Sequence, residues 1–461
     1  MKMLTPPFDD TIIAISTPPG FGGIGIVRLS GDKALPIAKK IFRPKKRGIV
    51  FSPRKAIFGY LYDSKKDEIF DEAYLIYFPG PYSYTREDIV EISCHGSPAV
   101  LEEAVRSGIR AGARHAHPGE FTLRAYLKGR IDIIQAEAVN DLIKATSLQQ
   151  AKLAFGQVEG KLTKKVISFR QQLVRLLADI EASIEFPDEN LSLNPKNLVS
   201  TFENMIDFLL KLVQSYDIGK SITDGLMLAI TGSKNVGKST LFNALLEEQR
   251  AIVTPYPGTT RDFLKEQIKI KDTIFNLVDM AGFGKPASFI EKEGIKKGME
   301  IASQADGLLM LFDSSRKENR QDLALLQEYQ SKKIFLIFNK IDLPPKMDIK
   351  KIKQRFKGYP SLKISALKGT NLDKLRENIY DVFAPKLRRR EDIIFHLRQK
   401  MLLEESLRFL KKSLILLKEG YPEEVYAEEI RKIIPLIGQL TGEIRMNEVI
   451  LNIFSRFCVG K

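Results

Sequence analysis

Cysteine is almost missing from this 461-residue chain: Cys94 and Cys458 are its only two, and they lie far apart. No disulfide framework can be built from them, which fits a reducing cytoplasm. Histidine is scarce too, at four, so little is available for a structural zinc site. His115 and His117 lack further ligand-type partners nearby. No apolar run approaches the ~20 residues that span a bilayer, and no membrane partner is expected. Met1 to Asp10 holds one lysine, two prolines and two aspartates, which does not read as a signal peptide. Repeats and low-complexity tracts are absent as well. Acidic residues are missing from Lys33 to Tyr60, where nine basic ones occur with Lys45, Lys46 and Arg47 at the centre. That stretch reads either as a phosphate-contacting surface or as an ordinary solvated helix face and loop.

What is present describes a globular, multi-domain chain. At roughly 150 residues per domain the length suggests about three domains, and 44% hydrophobic residues can fill real cores. The formal net charge of +15 points to a polyanionic partner, with nucleic acid the first choice. Thr11–Ser16 and Gly22–Arg28 carry apolar β-branched residues on either side of a Pro-Pro-Gly and Gly-Gly loop, predicting strand, tight loop, strand. Past Ile131 the pattern becomes helical. Leu162, Val166, Phe169, Leu173, Leu176, Ile180 and Ile184 form one stripe at helical spacing. Leu403, Leu407, Leu410, Leu414 and Leu417 form a second. Between them the apolar runs Leu226–Ile230, Ile274–Val278, Leu308–Phe312 and Ile334–Phe338 alternate with helical text. The fold class expected is therefore multi-domain α/β plus all-α, with an α/β unit inserted into a helical domain.

Gly232-Ser-Lys-Asn235-Val236-Gly237-Lys238-Ser239-Thr240 fits the phosphate-binding loop G-x-x-x-x-G-K-[ST], and it sits between an apolar strand and a helical segment. Backbone N–H groups and the helix N-terminus surround phosphates there. Lys238 adds a point charge at the β/γ-phosphates, and the Ser239 hydroxyl can ligate Mg²⁺. Gly258-Thr259-Thr260 follows, with Thr260 able to complete the Mg²⁺ shell. Asp279-Met280-Ala-Gly282 places a carboxylate at a strand end and a small residue near the γ-phosphate. Asn339-Lys340-Ile-Asp342 lets Asp342 accept hydrogen bonds from guanine N1–H and N2–H₂, and Ser365-Ala366-Leu367 would close the base pocket. Four motifs in this order predict guanine-nucleotide binding, with GTP as substrate.

The hydrolytic residue is less plain. Where Ras-like enzymes carry a water-orienting glutamine after Asp-x-x-Gly, Phe283 stands here and cannot hydrogen-bond. Glu291 and Glu293 lie downstream, either as catalytic candidates or as first-turn helix residues. Arg261 is open as an arginine finger.

Three stretches resemble the MnmE (TrmE) family of tRNA-modification GTPases. They are Asp10–Arg28 with its Thr-Pro-Pro-Gly-Phe-Gly-Gly segment; Tyr84–Glu91, Cys94-His-Gly96, Pro118–Arg124 and Gln135-Ala-Glu-Ala138; and Ile453-Phe-Ser-Arg-Phe-Cys-Val-Gly-Lys461. The resemblance implies an α+β, dimer-forming, folate-binding N-terminal domain over 1–128. It implies helical halves over 129–220 and 384–461, and an inserted Ras-like P-loop GTPase domain over 221–383. It also implies a homodimer that joins an FAD-dependent MnmG-like partner in a heterotetramer or larger complex. That complex would add a carboxymethylaminomethyl group at C5 of a tRNA wobble uridine, with one carbon from a tetrahydrofolate derivative (5,10-methylene or 5-formyl form).

Residue by residue, the same resemblance puts folate contacts on Arg28, Glu91, Arg130 and Lys461. Arg130 stands where lysine is common, so charge is kept but donor geometry changes. It implies K⁺ in place of an arginine finger, held by Asn235, Thr254, Tyr256 and Thr259, and it puts the water-positioning role on Glu291. Met280 replaces the usual threonine, and its side chain is expected to be buried. Cys458 reads either as a thiolate adding at uridine C6 or as a small buried residue anchoring the tail. Cys94-His95 reads as core rather than as a dyad. Two other classes compete: a GTP-switched RNA-binding or ribosome-assembly factor, which leaves Phe457–Lys461 unexplained, and a stand-alone folate-dependent methyltransferase, which leaves the GTPase motifs unused.

Overall fold

A computed structural model of the chain describes residues 10–63, 65–186, 194–247, 265–280, 300, 302–384, 393–444 and 447–460. Two compact units divide it. One comprises residues 1–143, 154–209 and 401–461, and the other 144–153 and 210–400.

In the first unit the strands are β1 (Ile12–Ile15), β2 (Gly22–Ser30), β3 (Phe42–Pro44), β4 (Ile57–Asp63), β5 (Glu68–Phe78), β6 (Ile89–Gly96) and β7 (Arg114–His115). They form one sheet in the order β3-β4-β5-β6-β2-β1-β7, antiparallel except for the β1–β7 pair. Helices Ala34–Ile41 and Pro98–Arg110 cover one face. Ile37, Ile41, Leu101 and Val105 share a core there with Val27, Leu29, Leu61, Leu75, Val90 and Ile92. Strand alternation decides what lies on the other face. In β6, Ile92 and Cys94 are buried, whereas Glu91 and Ser93 are half-buried and His95 is exposed. The expectation that Cys94-His95 is core is thus right for the thiol and wrong for the imidazole. His95 Nδ1 lies 2.6 Å from Asp71 Oδ1 at the surface.

The first helical stripe is the face of helix Lys161–Glu185, with Leu162, Val166, Phe169, Leu173, Leu176 and Ile180 buried. This helix packs against Glu423–Arg431 and Ile433–Thr441, and Arg431 meets Glu181 at 2.6 Å. Helical segments from both sides of the α/β stretch therefore share one unit. The second stripe lies on helix Leu397–Lys418.

The second unit contains β8 (Leu226–Thr231), β9 (Lys265–Ile270), β10 (Thr273–Asp279), β11 (Gly307–Asp313), β12 (Lys333–Asn339) and β13 (Ser361–Lys363). Their order is β13-β12-β11-β8-β10-β9, parallel except for β9. Helices bury both faces, with Leu228, Ile230, Leu309 and Ile337 in one core and Met310, Phe312, Leu336 and Phe338 in another. Such strands read as continuous apolar runs. Met280 is buried in the second of these cores. Among the described residues no helix is long and apolar enough to cross a membrane.

Candidate functional site: a phosphate-binding loop and an arginine-lined cavity

The phosphate loop leaves β8 at Thr231 and enters helix Lys238–Glu247. Two of its glycines are dictated by geometry. Gly232 has φ +143°, and a Cβ there would sit 2.5 Å from the Leu311 carbonyl. Gly237 has φ +99°, and a Cβ would sit 2.4 Å from Asn339 Nδ2. Any side chain at either position meets both strain and collision. Lys238 is buried, and its Nζ donates to the carbonyls of Gly232 at 3.0 Å and Ser233 at 2.9 Å. Desolvation pushes its pKa down, while the charges of Asp279 and Asp322 oppose that. A desolvated cation at a helix N-terminus suits a phosphate far better than it suits water.

Because β10 runs parallel to β8, with Asp279 beside Ile230, its last carboxylate reaches the loop. Asp279 Oδ2 accepts from Ser239 Oγ at 2.6 Å. Its other oxygen is buried and has no hydrogen-bond partner among the described residues. A hydroxyl beside a carboxylate with an unused buried oxygen is a hard donor set that fits Mg²⁺. Ser239, directly or with Asp279, would hold the ion, which there would neutralise phosphate charge.

The base side is built from the end of β12. Asn339 Nδ2 donates to the Val236 carbonyl at 2.8 Å, and its Oδ1 accepts from Ala366 N–H at 2.9 Å. One buried amide thus ties the phosphate loop to the Ser365–Leu367 loop. Lys340 Nζ donates to the Asn235 carbonyl at 2.6 Å and to Asp313 Oδ2 at 2.7 Å. Burial raises the Asp313 pKa, but Lys340 and Ser315 outweigh it and hold the carboxylate ionised. Asp342 Oδ1 accepts from Ser365 Oγ at 2.6 Å, a bond that lowers its pKa. Leu367 is exposed beside them.

Asn235, Val236, Gly237, Lys238, Ser239, Thr240, Asp279, Asn339, Lys340, Asp342, Ser365, Ala366 and Leu367 therefore gather at one end of the parallel sheet, the usual ligand edge of such folds. Thr254, Tyr256, Gly258, Thr259, Thr260, Arg261, Gly282, Phe283, Glu291 and Glu293 lie outside the described residues. Two acids escaped the sequence reading. Asp313 ends the run Leu308–Phe312 and clamps Lys340. Asp322 is buried on helix Arg320–Glu328 and accepts from Ser233 Oγ at 2.6 Å. Neither belongs to a motif, and only the strand-end position of Asp313 could have signalled it.

The first unit holds a second polar site. Arg28 and Glu91 face each other across β2 and β6, with Nη2 2.7 Å from Oε1. Glu91 and Arg130 line a cavity of about 650 Å³ together with Arg54, Tyr82, Tyr84 and Arg86. The Arg130 guanidinium lies 4.7 Å from the Tyr84 ring centroid and donates to the Tyr84 carbonyl at 3.2 Å. Three arginines, one carboxylate and two tyrosines suit a flat, anionic, hydrogen-bonding ligand of folate type. Arg54 and Arg86 went unnoticed in the sequence because loops bring them in. The last described residues return to this region. Gly460 O accepts from Ser16 Oγ at 3.1 Å and from Arg28 at 3.4 Å, and Gly119 N–H donates to Cys458 O at 3.3 Å. Cys458 is exposed rather than buried, so buried Phe457 and Gly460 anchor the tail instead. Lys461 lies outside the described residues.

A doubly covered parallel sheet, a phosphate loop at its ligand edge and a guanine-type pocket define a P-loop protein of the GTPase class. Family models match in two places: "GTP-binding protein TrmE N-terminus" over residues 11–130 and "MnmE helical domain" over 133–458. The tRNA modification GTPase MnmE of Aquifex aeolicus (strain VF5) is 40% identical over 458 residues, covering 98% of this chain and all of that protein. Its counterparts in Thermoanaerobacter sp. (strain X514) and Thermotoga sp. (strain RQ2) are 39% and 38% identical, each again over 98% of this chain and 99% or more of its own length. The chain belongs to the MnmE (TrmE) family.

Proposed function

We propose that this chain is the K⁺-stimulated, GTP-hydrolysing subunit of a complex that adds a carboxymethylaminomethyl group at C5 of the tRNA wobble uridine. Its coarser role, a GTPase acting in tRNA modification, is that of the family. In the finer reading it works as a cytoplasmic homodimer with an FAD-dependent MnmG-like partner and takes one carbon from a tetrahydrofolate derivative. The domains read as 1–128 for folate and dimerisation, 129–220 and 384–461 for the helical halves, and 221–383 for the GTPase.

Within the GTPase, Lys238 binds and neutralises the transferred phosphates, Ser239 orients the Mg²⁺-bound end, and Asp342 selects guanine. K⁺ would add positive charge beside those phosphates. Since Lys340 already engages the Asn235 carbonyl, Asn235 would contribute its side-chain oxygen, with Thr254, Tyr256 and Thr259 as the other ligands. Glu291 is assigned the attacking water. Arg28, Glu91, Arg130 and Lys461 would hold the folate, and Cys458 is the candidate nucleophile toward the uridine.

The observation that carries the reading is the return of the Cys458 segment to Arg28, beside the strand whose Glu91 lines the arginine-rich cavity. A ribosome-assembly factor has no use for that arrangement. The test is nucleoside mass spectrometry of tRNA from a strain lacking this gene, complemented by the intact chain or by Cys458→Ser. Loss of the C5-modified wobble uridine, restored only by the intact chain, is expected. Normal modification in the deletion strain, with no paralogue present, would end the proposal.

A further inference from the structure

The outer face of the first unit's sheet carries a cluster that neither the GTP site nor the folate cavity uses. Alternation along β4 turns Ile57, Gly59 and Leu61 into the core and leaves Phe58, Tyr60 and Tyr62 half-exposed on the opposite side. Strand β5 sets Tyr74 opposite Phe58, with the rings 5.2 Å apart, and Tyr74 stays 51% exposed. Beyond β4 lies β3, the edge of the sheet. Just past it the chain runs through Lys45, Lys46 and Arg47, all exposed.

Two of the cations are set against the rings. Lys45 N–H donates to the Phe58 carbonyl at 3.1 Å, and its ammonium lies 5.2 Å from the Phe58 ring centroid. The Arg43 guanidinium lies 3.3 Å from the Tyr62 centroid. Of the nine basic residues between Lys33 and Tyr60, all exposed, Lys33 caps and Lys39 and Lys40 lie on the helix of the opposite face. Arg54 lines the arginine-rich cavity, so the strip is edged by Arg43, Lys45, Lys46 and Arg47. Among the described residues the acids on this side include Asp67, engaged by Arg43 and Tyr62, Glu72, opposite Tyr60, Glu91, paired with Arg28, and Asp71, paired with His95.

We propose that this cation-edged aromatic strip docks the tRNA, with Lys45, Lys46 and Arg47 on its phosphates and Tyr74 against an unpaired base. The inference rests on the tRNA reading above and adds the place of contact. Aromatic faces on an open sheet accept bases, and clustered cations beside them track the backbone. A second copy of this chain fits the strip poorly, because it would set this run of positive charge against an identical one.

The experiment measures binding of a fluorescently labelled, unmodified tRNA transcript to the full-length protein by anisotropy over a range of salt. The variants are the triple Lys45→Gln, Lys46→Gln, Arg47→Gln and the single Tyr74→Ala. Each lost phosphate contact should flatten the slope of log K against log salt by about 0.7–0.9, so the triple variant should lose about 2–3 units and bind at least about tenfold more weakly at low salt. Tyr74→Ala should weaken binding about fivefold or more with its slope unchanged. GTP hydrolysis without tRNA and the mass by light scattering should match the wild type in both. Wild-type affinity and slope in the triple variant would overturn this surface while leaving the tRNA reading intact. A wild-type protein that binds no tRNA would overturn both. Variants that fall to a smaller species would make the strip a self-association face and overturn the proposal.

Discussion

Replacing Asn339 by alanine tests whether one side chain holds the two halves of the guanine-nucleotide site together. Its amide joins the Val236 carbonyl at 2.8 Å to the Ala366 N–H at 2.9 Å, and all three residues are at most 5% exposed. Alanine leaves one acceptor and one donor without these partners. A neutral hydrogen bond contributes about 1 kcal/mol net, and a buried group left unsatisfied costs about 1–3 kcal/mol. Two such groups give about 2–4 kcal/mol, allowing for water entering the vacated space. The loss divides between the stability of the unit and nucleotide affinity, because bound nucleotide would itself hold both loops. If all of it fell on affinity, Kd would rise roughly 30- to 700-fold, at about 1.4 kcal/mol per decade. Fluorescent GDP binding and urea unfolding of the same variant should together recover the 2–4 kcal/mol. Asn339→Asp separates hydrogen bonding from packing. It keeps the volume and the acceptor for Ala366 but sets an anion against the Val236 carbonyl, so it should be at least as damaging. A GDP affinity within about threefold of wild type in Asn339→Ala, with an unchanged unfolding midpoint, would refute the bridging role.

Asp342→Asn should shift base preference from guanine toward xanthine nucleotides, measured by competition with XDP; an unchanged preference would remove Asp342 from the base pocket. Gly460→Ala places a Cβ 2.0 Å from the Ile15 carbonyl at φ +94°, so the tail should leave its seat. Wobble-uridine modification should then fail while GTP hydrolysis persists, and retained modification would show that the docked tail is dispensable. Glu120 is fully buried between Arg114 at 2.6 Å and Arg124 at 2.9 Å. Burial alone would raise its pKa, but Arg114, the His117 N–H and Arg124 outweigh it and hold the carboxyl below its ordinary 4.5. A depressed folded-state pKa gives stability that is present above about pH 4.5 and lost as pH falls through the folded value. Thermal unfolding from about pH 3 to about pH 7 should therefore show a steep acid limb in the wild type and a flatter one in Glu120→Gln; parallel limbs would contradict this.

The parts of this protein that were legible in its sequence are those in which a local requirement leaves a local mark. A strand buried on both faces must be apolar except where a polar side chain is hydrogen-bonded, as Asn276 of β10 is to the Asp224 carbonyl, so β8, β10, β11 and β12 stood out as runs. A loop that packs its backbone against Leu311 and Asn339 must carry glycine at 232 and 237, so the phosphate site is marked in the sequence itself. What stayed hidden depends on parity or on distant pairing. His95 and Cys94 differ by one residue and hence by a whole face of the sheet, a distinction that motif reading cannot make. Asp322, Arg54 and Arg86 act through contacts set by topology, and each is an ordinary charged residue in its own segment. The tail lies between these cases. Its hydrogen bond from Ser16 to Gly460 spans 444 positions and could not be foreseen, although the segment itself stood out by its resemblance. Gly460 is the residue whose side-chain hydrogen leaves room for the Ile15 carbonyl, and the Gly119 N–H holds the carbonyl of the exposed Cys458 two residues before it. If the tail carries chemistry, the glycine is as necessary as the thiol, because a nucleophile on an undocked chain end has no fixed direction of attack.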